Sequence, residues 1–162
     1  LSREGLVKVL PRKGLLVTEI NINDQLNLIQ VRREIERLMA KLSARNSTIA
    51  QKKNFKKISS AMRLCKKSDN TKFMKLDSEM NKLLSDSCDN EFVRRATRIT
   101  GGLSRRFWFY MNKRILNDLP VMAKLHSNVC DAISSSNIKL AQERSDKLMD
   151  YIEKFTRASV QL

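Results

Sequence analysis

Through six consecutive segments of this chain, apolar side chains recur three and four positions apart, a spacing that places them along one side of a helix. The 162 residues include only four Gly and two Pro, too little turn material for a sandwich or barrel built from many short strands. The expected fold is therefore all-α, an antiparallel bundle of about six helices joined by short polar loops. The length suits one main core rather than two full-sized ones.

The first helix is predicted to start at an Asn23-Asp24 cap and to run to about Arg45, with Leu28, Val31, Ile35, Leu38 and Leu42 as its buried seam. A second, from Ser47 or Thr48 to about Lys66, carries Phe55, Ile58, Met62 and Cys65. A third, from Asp69 or Asn70 to about Ser87, carries Phe73, Leu76, Met80 and Leu83. The fourth, from about Asn90 to Leu116, holds Gly101-Gly102 in mid-pattern, where a weakening or bend is expected. The fifth begins near Pro120, which a first turn tolerates, and the sixth spans Asn137 to about Ser159.

The first twenty residues follow a different pattern. Gly5–Leu10 and Leu15–Ile20 are β-prone and flank Pro11-Arg12-Lys13-Gly14, which predicts a hairpin. Two strands alone are marginal in water, so this hairpin needs something to lean on. The chain opens at Leu1, and further residues are expected upstream of it.

A formal charge of +15 points to polyanions as partners. Eight of the cations lie between Arg45 and Lys67 with no carboxylate among them. Lys52, Lys53, Lys56 and Lys57 are compatible either with a solvated helix face or with a phosphate-binding surface. Cys65, Cys88 and Cys130 are odd in number, widely spaced and without a CxxC pair, which argues against a disulfide framework or a thiolate metal site. No apolar run reaches the roughly eighteen residues of a membrane span, and no signal-peptide pattern opens the chain. A soluble, cytoplasmic protein without a membrane partner is expected.

Specific motifs accompany this layout. Leu1-Ser2-Arg3-Glu4-Gly5-Leu6-Val7 followed by Pro11-Arg12-Lys13-Gly14-Leu15-Leu16-Val17 resembles the recognition-helix tail and wing of a GntR-type winged helix. The helical part resembles the FadR-like ligand-binding domain, called FCD. Arg32, Ile35 and Glu36 match its R-x-x-L-E start, and Asp77 with Met80-Asn81 occupies its D-x-x-F-H position. Asn90 matches the asparagine before its fourth helix. Leu125-His126 with Val129, Ala132 and Ile133 matches E-H-x-x-I-x-x-A-I, and Asn137 with Ala141 resembles the D-x-x-x-A that opens the last helix.

The resemblance implies a winged-helix remnant at residues 1–20 and an effector-binding and dimerisation domain at residues 21–162. It implies a bacterial transcription regulator that binds operator DNA as a homodimer and responds to a small metabolite, often a carboxylate. Without the reading helix, Arg12, Lys13 and Gly14 at the wing tip are the remaining DNA-contact candidates. The family's metal set is an Asp and three His. Here Asp77 and His126 match two of those positions, while Asn81 and Leu148 stand at the others, so no bound metal or other cofactor is expected.

Helical spacing turns Asp77 and Asn81 to one side of the third helix, His126 into the bundle from the fifth, and Arg106 inward from between Leu103 and Tyr110. With Arg32 they make the candidate effector site, a polar cluster in an apolar bundle. Two plainer roles stand beside this one: an Asp77–Arg106 ion pair and an Arg32–Glu36 helix pair. A lone histidine and scattered carboxylates give no catalytic motif, so an enzyme is not expected. The alternative is a basic helical module that grips nucleic acid through the Arg45–Lys67 run.

Overall fold

The computed structural model describes residues 5–112 and 118–159. A two-stranded antiparallel hairpin, β1 (Val7–Leu10) and β2 (Gly14–Val17), precedes six helices among the described residues. They are α1 (Ile22–Asn46), α2 (Ile49–Arg63), α3 (Asn70–Ser87), α4 (Glu91–Asn112), α5 (Leu119–Ser134) and α6 (Ile138–Ala158). The expected all-α bundle with a short hairpin is the fold observed.

Local chemistry sets the helix ends. The Thr48 hydroxyl accepts from the Gln51 N–H while the Gln51 side chain accepts from the Thr48 N–H, a reciprocal box that opens α2. Asn90 Oδ1 accepts from the N–H groups of Phe92 and Val93, and Asn137 Oδ1 from Leu140, which caps α4 and α6 in the same way. Pro120 sits in the first turn of α5. At α1 the cap is Asn21, whose Oδ1 takes the N–H groups of Asn23 and Asp24. The Asn23-Asp24 pair is therefore the first turn and not the cap.

In the bundle α1 lies along α6, α2 along α5, and α5 against α6. Helix α3 bridges α2, α1 and α5, and α4 packs chiefly on α1. Met39, Phe55, Met62, Met122 and Ile133 are fully buried where these helices meet. The expected stripes of α2 and α3 point inward, with Leu84 buried more deeply than Leu83.

The seam of α1 differs from the expected one. Val31 is 53% exposed and Leu38 41%, while Gln25, Ile29, Met39, Leu42 and Ser43 are buried. The inward line of α1 runs from Gln25 through Ile29, Arg32 and Glu36 to Met39 and Ser43. Two charged residues interrupt it, so an apolar count selects the neighbouring stripe.

Helix α4 runs unbroken through Gly101-Gly102. The predicted end of this helix at Leu116 lies outside the described residues. A Cβ at Gly101 would meet nothing nearer than the Arg105 guanidinium, at 3.6 Å. Gly101→Ala is therefore expected to stabilise the fold by about 0.5–1 kcal/mol through a less flexible unfolded chain and better helix propensity. A lower urea midpoint for the variant would contradict this.

The hairpin pairs Val7 with Val17 and Leu10 with Gly14. Its turn is closed by a Lys13 N–H to Leu10 O bond of 3.0 Å, and Arg12 adopts φ 61° where such a turn ordinarily takes glycine. What the hairpin leans on is α4. The Thr18 hydroxyl donates to Gly5 O at 2.8 Å and accepts from Arg106 Nη1, also at 2.8 Å, and Leu6 lies beside Gly102. Beyond that base, Val9, Leu15, Leu16 and Val17 are more than half exposed.

Candidate functional site

A cavity of about 600 Å³ lies between α3 and α4, with walls completed by α1, α5 and α6. Its position follows from the packing: α4 leans on α1 and touches α3 only lightly, so a space remains between α3 and α4. Arg32, Asp77, Asn81 and His126 all line it, and the structure thus brings four of the five candidate effector residues together.

Arg106 is not among the lining residues. Its guanidinium turns to Thr18 at the hairpin base, and the ion pair considered for it with Asp77 does not form. The i,i+4 geometry of α4 explains the difference. Residues 94, 98, 101, 105 and 108 make one helical face and line the cavity, while residue 106 lies off that face.

Arg32 is held from both sides. Its Nε and Nη2 donate to Glu36 Oε1 at 3.2 and 2.7 Å, and its Nη1 donates to Ser104 Oγ on α4 at 2.7 Å. The helix pair expected between Arg32 and Glu36 thus exists, and it also fastens α1 to α4 across one wall. Both side chains are about 15% exposed.

His126 is 9% exposed. Its Nδ1 stands 2.8 Å from the Met122 carbonyl oxygen, which can only accept, so Nδ1 carries a hydrogen. Its Nε2 faces Asp77 Oδ1 at 3.3 Å, a contact that becomes attractive with a proton between the two groups. The Phe73 ring meets the imidazole edge-on at 5.3 Å and Trp108 at 6.2 Å, and Trp108 stacks on Phe155 at 5.0 Å. An aromatic wall thus backs the polar centre.

Among the described residues, six cations line the cavity: Arg32, Lys82, Arg94, Arg95, Arg98 and Arg105. Three carboxylates, Glu36, Asp77 and Glu91, oppose them, with Arg32 paired to Glu36 and Arg95 to Glu91. The site therefore carries an excess of three positive charges. Arg94, Arg98, Arg105 and Ser104 were not among the sequence candidates. Their spacing along α4 is visible in the sequence, but an arginine-rich helical face reads equally well as solvated.

The FCD-domain family model matches residues 27–151. The chain belongs to the FCD family. A search of curated proteins returns no match. The FCD domain is the C-terminal, ligand-sensing domain of GntR-family transcription regulators, a regulatory unit and not an enzyme. The match begins one turn into α1 and ends within α6, leaving the lining residues Gln25, Ile152, Phe155 and Thr156 and the hairpin outside it.

The metal set of many FCD domains does not fit these residues. Among the described residues no group of three His, Cys, Asp or Glu side chains could hold one ion. Only Asp77 and His126 come together, Asn81 offers a neutral amide, and Leu148 supplies an apolar wall. The three cysteines are buried, and burial with the nearby carboxylates of Asp131 and Asp77 pushes the Cys130 thiol far up, so it serves neither as thiolate ligand nor as nucleophile. No helix among the described residues is long and apolar enough to cross a membrane.

Proposed function

We propose that this FCD domain binds a small carboxylate metabolite in the α3–α4 cavity and thereby modulates operator binding by an attached winged helix. The observation that carries the reading is the excess of cations around a 600 Å³ cavity in a sensing domain. Arg32, Asp77, Asn81 and His126 would orient the ligand, since convergent polar groups in an aromatic-backed pocket fix orientation and specificity. Arg106 has a different place, holding the hairpin. Isothermal titration of the chain with short hydroxy-, di- and tricarboxylates tests the reading. One ligand per chain is expected, and no heat of binding from any carboxylate, short or long, would end it.

In this proposal β1 and β2 are the wing of the DNA-binding unit, covering residues 1–20, and residues 21–162 form the effector and dimerisation unit. The turn at Arg12, Lys13 and Gly14 is exposed at the hairpin tip, where a cation can reach a phosphate. Dimerisation is supported by apolar side chains left in water on two adjoining helices, Val31 and Leu38 on α1 and Phe92 and Ile99 on α4. Sedimentation velocity is expected to give twice the chain mass. A monomer at tens of micromolar would remove dimerisation from the proposal.

The basic face of α2 is also exposed at Lys53, Lys56 and Lys57. The cavity favours ligand sensing over direct nucleic-acid binding as the main activity, because a solvated lysine face has no structure that selects a partner.

A further inference from the structure

The cavity has two chemically distinct ends. Helices α3 and α4 run antiparallel, so the start of α3 meets the end of α4. There Phe73, Phe107, Leu148 and Phe155 are buried, and Trp108 stacks on Phe155. At the other end Lys82, Arg94 and Arg98 reach the surface, all three exposed. Arg95 is taken by Glu91, but Arg94, Arg98 and Lys82 have no ion pair among the described residues.

We propose that the ligand is an amphipathic anion lying lengthwise in the cavity, with its charged head outward on Arg94, Arg98 and Lys82 and a flat apolar body inward against Trp108. This rests on the sensing role proposed above and goes further, because it names the ligand class and sets its direction. The Cα rise from Arg98 to Trp108 is about 15 Å, part of which the arginine side chain itself spans, so the body must be elongated. An acid of a few carbons held at Asp77 and His126 would leave both ends of the cavity unused. The indole of Trp108, stacked on Phe155, is the surface the inner part of the body lies against. The Asp77–His126 pair meets the middle of the molecule, where a second polar group is admitted.

Trp108 is the only tryptophan of the chain, and its fluorescence therefore reports the inner end directly. Three probes separate head from body: phenylhexanoate has both, phenylhexanamide has the body without the charge, and glutarate has charge without the body. Phenylhexanoate is expected to alter Trp108 emission saturably and to bind at least tenfold more tightly in calorimetry than either of the others. Arg94→Ala and Arg98→Ala should each weaken phenylhexanoate by about tenfold, the worth of one charge-assisted hydrogen bond, while the amide is unaffected. Neither arginine has an ion pair to lose among the described residues, so both variants are expected to fold, and helical circular dichroism checks this.

Equal binding of acid and amide, or arginine variants that hold the acid as the parent does, would overturn the head assignment. Tight glutarate binding with no response to phenylhexanoate would overturn the ligand class and leave the sensing role standing. Silence with all three probes and with the shorter carboxylates would remove both.

Discussion

A carboxylate that occupies the cavity at a hundred times its dissociation constant is expected to stabilise the fold by about 2.7 kcal/mol, because it binds the folded chain alone. For a domain of this size that moves the thermal midpoint by about 5–10 °C. His126→Ala should abolish the shift. In the parent, Nε2 stands 3.3 Å from Asp77 Oδ1, so the imidazole covers that carboxylate on the cavity wall. Without the imidazole, the Asp77 carboxylate, 15% exposed, faces an incoming anion directly. Arg106→Ala should respond to the ligand as the parent does, since its guanidinium lies on Thr18 and outside the cavity. Differential scanning fluorimetry of the three proteins checks this. Equal shifts in parent and His126→Ala would show that ligand does not reach the Asp77–His126 pair.

The second large effect concerns stability alone. Phe55 is fully buried in α2, among the helices α2 packs against. Phe55→Ala removes most of its side chain from a site that can collapse only partly, at a cost of about 3–5 kcal/mol. Against a total of about 5–15 kcal/mol, that leaves a chain unfolded at mild denaturant concentrations or at body temperature. Val31→Ala, which an apolar count along α1 would rate as a core change, is expected to cost less than about 0.5 kcal/mol because Val31 is 53% exposed. Urea unfolding followed at the helical dichroism band distinguishes them. Similar losses for the two variants would mean that α1 faces the bundle differently.

That contrast shows what was legible in the sequence. Capping residues such as Thr48, Asn90 and Asn137 act within three or four positions, and they marked the starts of α2, α4 and α6. The stripe of α2, Phe55, Ile58 and Met62, with Cys65 just past the helix end, is buried and was read correctly. The inward face of α1 was not, because a site placed on that face requires Arg32 and Glu36 where a plain core would have leucines. The residues that make the face functional are those that hide it.

Distance along the chain hid the rest. Arg106 meets Thr18 across 88 positions, and no local periodicity records such a partner. From α4 alone its guanidinium could equally have turned inward. Asp77, Asn81 and His126 were placed together through motif resemblance, and the cavity that joins them depends on how lightly α4 touches α3. That gap is a property of the packed bundle and of no single segment.

Helix α4 supplies one wall of the cavity through Arg105 and Trp108, and between them Arg106 holds the base of the hairpin. Any free energy that a ligand spends in shifting this helix is therefore felt at Thr18, and thermodynamic reciprocity requires the converse. A hairpin immobilised by whatever it touches would alter ligand affinity by the same factor with which the ligand alters that contact. The affinity measured for the chain in isolation is thus one limit of a pair, and the other is reached only with the hairpin engaged.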